Sequence, residues 1–505
     1  MWDVQEAWTK FVYPFVIDIK DDATFSRLAQ HIAAFQVSIG SETAPVQMWS
    51  EFQYYDSDLD NMAPYVKRYM RLPQNQRRFV LSDKVVTYFS DMQTDRMNST
   101  DPGFKISEVD LYMFFNGACF LIIEIQPIAS PVEPLKVEWI ENLNSNLASF
   151  TRKTSIRQRR TEPLTRQVGN VPVWFHEFTA DGLLQSLSKG HPVTLQSLIQ
   201  HVFLACLNNW EEAGPWQPMI DTFLNVYGAV LLSKPEDAEA AEHVHSDFLD
   251  YATKHITVLR KTLTSKNSNH FVRHILDDSE HNYVPYHNVI HSQSLEGGFV
   301  MAFDNGTQHF SGTRSPAMRS FRTNYFFMML LAMHQRMSIL MYAMAAADAA
   351  LSTDRAQQSR LLREHIYDFT SRCYFSQASV SEERDQLYRR WQRVFNVSQM
   401  YEELKEEIKE IDDYMASLAK ERELEAKDQE IRQGAKRTQL YSWISFIFLP
   451  VTVVLYIIQA SPVVANWIDF KKDAIGSILL ILIMITAILL VASAIYRSYK
   501  KVRNS

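Results

Sequence analysis

The first chemistry the chain offers lies near its C-terminal end. Placed at about 100° per residue on a helix, Thr438, Ser442, Ser445, Thr452 and Gln459 fall within one arc of roughly 100°, which Leu449 and Tyr456 share. The remainder of that stretch is Phe, Ile, Val, Leu and Trp. Polar groups on one side of an apolar helix either bond to another helix or face water, because hydrocarbon penalises unsatisfied ones. Facing water, they line a pore in which Leu449 forms an apolar ring that closes by dewetting. Pro450 lacks an N–H and leaves the Phe446 carbonyl without its usual partner, a flex point suited to gating. Adhesion between helices, in a membrane-anchored scaffold without a pore, is the competing use of the same hydroxyls.

A second group could bind anions. Arg152, Lys153, Arg157, Arg159, Arg160 and Arg166 crowd into 15 residues with one acid, Glu162. Guanidinium forks suit phosphates, so the stretch is a candidate site for a nucleotide-type ligand, against the plainer reading of a solvated loop. A third group gathers His270, His274, His281, His287 and His291 near Asp277, Asp278 and Glu280. The i, i+4 spacing of His270 and His274 would set two imidazoles on one helix face, but no complete ligand set or His-Glu-x-x-His pattern appears, and a polar surface is the plainer reading. Walker loop, nucleophile elbow and dinucleotide glycine fingerprint are all missing from the sequence, and Gly297-Gly298 lacks their context. The chain is not expected to be an enzyme.

The elements that must position these groups follow from patterning. The 505 residues exceed one ordinary domain. Fifty-one Lys and Arg against 58 Asp and Glu give a formal charge of −7, which argues against binding duplex nucleic acid. Cys119, Cys206 and Cys373 are too few and too scattered for a disulfide framework. Residues 1–315 read as an α/β domain with a partly antiparallel sheet. In VDLYMFFNGACFLIIEI, Asn116-Gly117 sits between two β-rich runs as a two-residue hairpin turn requires, and Asp304-Asn305-Gly306 repeats the signal in FVMAFDNGTQHF. Helices are predicted around Leu183–Trp210 and Ala238–Leu263.

Residues 316–439 read as almost pure helix. SFRTNYFFMMLLAMHQRMSILMYAMAAADAAL carries His334-Gln335-Arg336 at its middle, so it reads as a buried helix rather than a membrane span. A helix over about Ser352–Tyr374 leads to Ser379 and Glu382, spaced as a capping box. From about Ser381 one continuous stalk helix is predicted, with Val394, Val397, Tyr401, Leu404, Ile408, Ile411, Met415 and Leu418 as its packing seam. Residues 440–505 read as a membrane domain with a basic tail. Leu440–Ala460 and Ala474–Tyr496 lack Asp, Glu, Lys, Arg and His over 21 and 23 residues, long enough to span a bilayer. Basic residues flank the pair on its outer ends, so the positive-inside rule predicts a multi-pass protein of the inner membrane with both termini cytoplasmic.

Stalk, two spans, short outer loop and the run Phe448, Leu449, Pro450 and Thr452 together resemble the CorA family of divalent-cation channels. That resemblance implies a cytoplasmic α/β domain and a homopentamer whose first span lines the pore for a divalent cation. Where the family carries Gly-Met-Asn, nine residues after the proline, this chain has Gln459, Ala460 and Ser461. The departure speaks against constitutive magnesium transport, which stays as an alternative. Members without the motif are known from type III CRISPR loci as antiviral effectors gated by a nucleotide second messenger, and the chain is similar to that branch. A ligand-gated, CorA-like homo-oligomeric channel is the resulting expectation.

Overall fold

The computed structural model describes residues 2–38, 45–95, 102–128, 134–158, 180–188, 191–208, 210, 215–234, 241–260, 281–311, 315–352 and 354–460, with Ile478, Leu482, Thr486, Ser493 and Arg497. The chain divides into two units, Met1–Ile411 and Asp412–Ser505.

The first unit is built on a sheet of thirteen strands among the described residues. In chain order these include β1 (Val4–Val16), β2 (Trp49–Phe52), β3 (Gln76–Leu81), β4 (Met92–Thr94), β5 (Phe104–Phe114), β6 (Ala118–Pro127), β7 (Ser155–Gln158), β8 (Val193–Thr194), β9 (Asn225–Leu232), β10 (Asn282–Tyr286), β11 (Val289–Ser294) and β12 (Gly297–Phe303). The spatial order is β8-β7-β4-β5-β6-β1-β9-β12-β11-β10, with β3 also on β5 and β2 on β3. Neighbours are antiparallel except β9 and β12, which run parallel.

Helices cover both faces, which is why β5 and β6 read as nearly unbroken apolar runs. On one face Phe11, Leu111, Met113, Cys119, Leu121 and Ile123 pack against α1 (Asp22–Ala34) and α2 (Val137–Ala148). Alternate residues, among them Trp8, Val12, Tyr112, Phe114, Phe120 and Ile122, turn to the other face. After α3 (Ala241–Arg260), that second face is covered by α4 (Phe326–Leu351), α5 (Arg355–Cys373), α6 (Glu382–Val394) and the start of α7 (Val397–Ala460). A short helix, Pro316–Ser320, and a π-turn, Phe321–Tyr325, lead into α4.

The central hairpin forms where the Asn-Gly signal places it, with three linking residues rather than two. Gly117 takes φ +88 and donates its N–H to the Phe114 carbonyl at 2.9 Å. A Cβ there would lie 2.1 Å from the Ile17 carbonyl oxygen, so glycine is required twice over, for its dihedral and for the close approach. The second signal makes no hairpin. Asp304 Oδ1 accepts from the Gly306 N–H at 2.8 Å and Asn305 Oδ1 from the Thr307 N–H at 3.1 Å, and no returning strand follows these side-chain turns among the described residues before the Pro316–Ser320 helix.

The methionine-rich segment is a buried helix, and its polar centre is satisfied. His334 stacks on Phe114 at 3.8 Å between centroids. Gln335 donates to the Cys373 carbonyl at 3.0 Å and accepts from Gln392 at 2.9 Å. Arg336 donates to the Phe395 carbonyl at 2.6 Å. The stalk differs from its prediction. Ser379 and Glu382 make no capping box: Ser379 Oγ donates to the Asn61 carbonyl at 2.6 Å, and α6 starts after Ser381. Nor is the helix continuous, because Asn396 adopts φ +54 and separates α6 from α7. The seam holds where it meets the core, with Val397 and Leu404 buried and Ile408 and Ile411 packed beside them.

The two-span architecture and the inner-membrane location with cytoplasmic termini are corrected. Crossing hydrocarbon takes about 20 consecutive apolar residues, and among the described residues no helix is long and apolar enough to cross a membrane. The fold class is an α/β domain followed by a long helical region. Residues 440–460 are the last turns of α7, a helix whose preceding turns are densely charged and exposed. Residues 474–496 fall outside the described residues apart from Ile478, Leu482, Thr486 and Ser493.

A charged basin as the candidate functional site

Three backbone irregularities meet at one cavity. Between Ile106 and Glu108 the pairing of β5 with β6 slips by one residue, a bulge that turns both Ser107 and Glu108 toward the cavity while Ile106 goes to the opposite core. The pairing of β1 with β9 slips between Val4 and Glu6, and Glu6 lines the same space. The π-turn Phe321–Tyr325 carries Arg322 to its rim. The cavity measures about 690 Å³.

Beneath it the sheet holds a lattice of charge. Glu124 is the direct cross-strand partner of both Lys10 and Glu108. Its Oε2 receives Lys10 Nζ at 2.9 Å and Arg322 Nε at 2.6 Å, and its Oε1 receives Ser107 Oγ at 2.7 Å and Gln126 Nε2 at 3.0 Å. Arg78 grips Asp110 with two bonds, 3.1 and 3.0 Å, and reaches Glu108 at 3.0 Å. Its guanidinium lies over the Phe52 ring at 4.2 Å. Three cations and three carboxylates thus neutralise one another within an otherwise apolar sheet face, the condition under which buried charge is tolerated.

The environments separate the two deepest acids. Burial favours the neutral form of Glu124, but Lys10, Arg322 and the Ser107 hydrogen bond outweigh it and pull its pKa down to about 2. Asp110 goes the other way. Burial pushes it up to about 6, and the neighbouring Glu108 adds to the rise while Arg78 opposes it. Around the rim, Lys105 and Arg319 are exposed and have no ion-pair partner among the described residues. Five basic side chains line the cavity against three acidic ones, Glu6, Glu108 and Asp110, while Glu124 lies under the floor. The arrangement can exchange internal carboxylates for those of a ligand, or for phosphates, without building new cationic sites.

No family model, curated protein or solved structure matches the chain. The resemblance to CorA channels therefore rests on its own residues.

The described residues among those singled out in the sequence lie elsewhere. Thr438, Ser442, Ser445, Leu449, Thr452 and Tyr456 are exposed on α7, as are Ile444 and Phe448 on other sides of the same helix, so exposure does not set the polar arc apart. Thr438 and Thr452 donate their hydroxyls back to the carbonyls of Gly434 and Phe448. Pro450, Gln459 and Ala460 are helical, and Ser461 lies outside the described residues. Of the basic stretch, Lys153 is exposed, and Arg157 on β7 bonds to the Gln93 amide oxygen at 2.8 and 3.0 Å once that amide faces it. Arg152 closes a short 3₁₀ turn, and Arg159, Arg160 and Arg166 fall outside the described residues.

His270, His274, Asp277, Asp278 and Glu280 also fall outside the described residues. His291 is buried on β11, parallel to the Tyr325 ring at 5.4 Å, and burial with help from Arg390 pushes its pKa down to about 3. It is a neutral core residue. Among the described residues no three His, Cys, Asp or Glu side chains are grouped to hold a metal ion. The basin had one signal in the sequence, Asp110 and Glu124 standing alone within the apolar runs of the central hairpin.

Proposed function

We propose that the α/β unit is a ligand-binding module for an anion of nucleotide size, held in the charged basin. The observation that carries this is the excess of basic over acidic side chains around one cavity of about 690 Å³, with Lys105 and Arg319 exposed at its rim. That volume lies within the few hundred to about 1,000 Å³ typical of small-molecule sites. Arginine forks favour phosphate and carboxylate alike. The nucleotide-type ligand of the sequence reading is thereby moved from the stretch 152–166 to residues contributed by β1, β3, β5 and the π-turn. Conduction by a homopentameric pore would need spans that the described helices do not provide, so the geometry supports the ligand-binding half of that expectation alone.

Calorimetric titration of the full chain with a panel of nucleoside mono-, di- and triphosphates and cyclic nucleotides tests the reading. Binding of at least one of them should weaken about tenfold or more in a Lys105→Gln, Arg319→Gln double variant, which removes two charge-assisted contacts without touching the buried lattice. Absence of binding across the panel, or binding that the double variant leaves intact, would sink it.

A further inference from the structure

A second concave surface lies at the break between α6 and α7. Its cavity, about 710 Å³, is lined by Arg389, Gln392, Arg393, Asn396, Ser398 and Gln399 together with residues 374–377, and no carboxylate lines it. The charge there is unbalanced, unlike the matched lattice of the basin. Arg389, Arg390 and Arg393 stand within one turn and a half of α6, and Arg389 Nε donates to Asp385 Oδ2 at 2.8 Å. The Arg393 guanidinium has no hydrogen-bond or ion-pair partner among the described residues. Arg390, partly buried over the Tyr283 ring at 4.8 Å, has its pKa lowered by burial and by the charge of Arg393, as like charges crowded together require.

Arg393, in the last turn of α6, complements the helix dipole, which accounts for its sign. It does not account for the donors across the break. Ser398 and Gln399 line the cavity from the first turn of α7, where Gln399 Nε2 donates to Glu403 Oε1 at 2.9 Å and the first backbone N–H groups lack partners within the helix. The backbone turns between the two groups at Asn396, φ +54, and the carbonyl of Phe395, the residue that follows α6, is held from outside by Arg336 at 2.6 Å.

We propose that this groove is a second anion site, distinct from the basin, that takes a phosphate-type oxyanion bridging Arg389 and Arg393 of α6 to the first turn of α7. A tetrahedral oxyanion offers several acceptor atoms to donors that converge from two helices. Its binding would relieve the repulsion among the three arginines and fasten the joint at Asn396. The basin and the groove share no lining residue, so the two can succeed or fail separately.

The test is a titration of the full chain with pyrophosphate alone, followed by calorimetry and by the fluorescence of Trp391, which is buried on α6 between Arg389 and Arg393. Arg393→Gln should weaken binding about tenfold or more with unchanged thermal unfolding, because the guanidinium it removes has no partner to lose. Arg389→Gln should weaken it as well, and Lys105→Gln with Arg319→Gln should leave it as in the parent chain. Three outcomes overturn the proposal: no binding at millimolar pyrophosphate, full affinity in Arg393→Gln, or loss of binding through the Lys105 and Arg319 substitutions alone, which would assign the anion to the basin.

Discussion

Lys10 and Glu124 face each other directly across β1 and β6, and their charged atoms lie 2.9 Å apart at the centre of the charge lattice that an apolar core surrounds. The pair, both almost wholly buried, belongs to the wall against which α4 packs, since Lys10 Nζ also lies 5.2 Å from the centre of the Phe326 ring. Removing one partner should be costly. Lys10→Met is expected to lower the unfolding free energy by about 3 kcal/mol, the low end of the scale for breaking a buried pair because Glu124 keeps Arg322, as measured by urea denaturation. Adding Glu124→Leu should restore part of the loss. If the double variant is no better than the sum of the single ones, the two residues are not coupled.

The opposed environments of Asp110 and Glu124 set two pH windows of opposite sign. Asp110 has its folded pKa raised from 3.8 to about 6, so the proton it holds adds stability that is fully present below about pH 4 and is lost as pH rises through about 6. Glu124 has its folded pKa lowered from 4.5 to about 2, so its contribution is present above about pH 4.5 and is lost as pH falls toward 2. Comparing unfolding free energies of the parent chain and Asp110→Asn from pH 4 to 7 isolates the first window. The parent should lose stability relative to the variant across it, and parallel curves would contradict the raised pKa.

Protonating Asp110 also releases part of the Arg78 guanidinium. Affinity of the basin for an anionic ligand should therefore increase as pH falls from 7 to 5.5, provided the ligand keeps its charge. A titration series at fixed ionic strength reads this directly, and Asp110→Asn should remove most of the dependence.

Gly298 lies against the indole of Trp391. A Cβ on residue 298 would sit 2.6 Å from the Trp391 Cζ2 and Cη2 atoms, so Gly298→Ala forces α6 off the sheet or the indole out of its place. A loss of about 2 kcal/mol is expected in chemical denaturation. Trp391→Leu in the same background should cut the additional effect of the alanine to a fraction of that. An unchanged midpoint in Gly298→Ala would mean that the contact is easily relaxed.

Asn396 links α6 to α7 through a left-handed conformation, φ +54. Asn396→Gly should be near neutral, whereas Asn396→Ala should cost about 1 kcal/mol, because a Cβ disfavours that region and alanine has no amide to offset it. Equal stabilities for the two variants would argue that the break is not held at this dihedral.

How much of this was legible in the sequence depended on whether the signal was local. The central hairpin announced itself through Asn116-Gly117 between β-branched and aromatic runs, and the buried nature of α4 through His334-Gln335-Arg336 at its centre. The break at Asn396 was missed because the apolar seam from Val394 through Val397 keeps helical spacing across it, and one residue of left-handed backbone leaves no trace in that spacing. The basin left only the signal of Asp110 and Glu124, for a different reason. Lys10, Arg78, Glu108, Glu124 and Arg322 come from segments separated by as much as 312 positions, and a charge lattice assembled by a sheet has no linear motif. A window of local basicity points to residues 152–166 instead, of which Arg159, Arg160 and Arg166 lie outside the described residues. The end of the chain shows the converse error. Apolar composition over 440–460 and 474–496 suggested spans that no described helix provides.

The π-turn ahead of α4 carries a last consequence. A π-turn is an α-helix that has taken in one extra residue, so trimming a single position between Phe321 and Tyr325 would leave the helix intact but rotate everything before it by about 100°. Arg322 would then swing away from Glu124 while the core-facing side of α4 kept its phase. One inserted residue thus acts as an indexing key that tells this helix which carboxylate to find, and relatives of this chain, however far their sequences drift, should conserve the segment's length more strictly than the identity of the residues filling it.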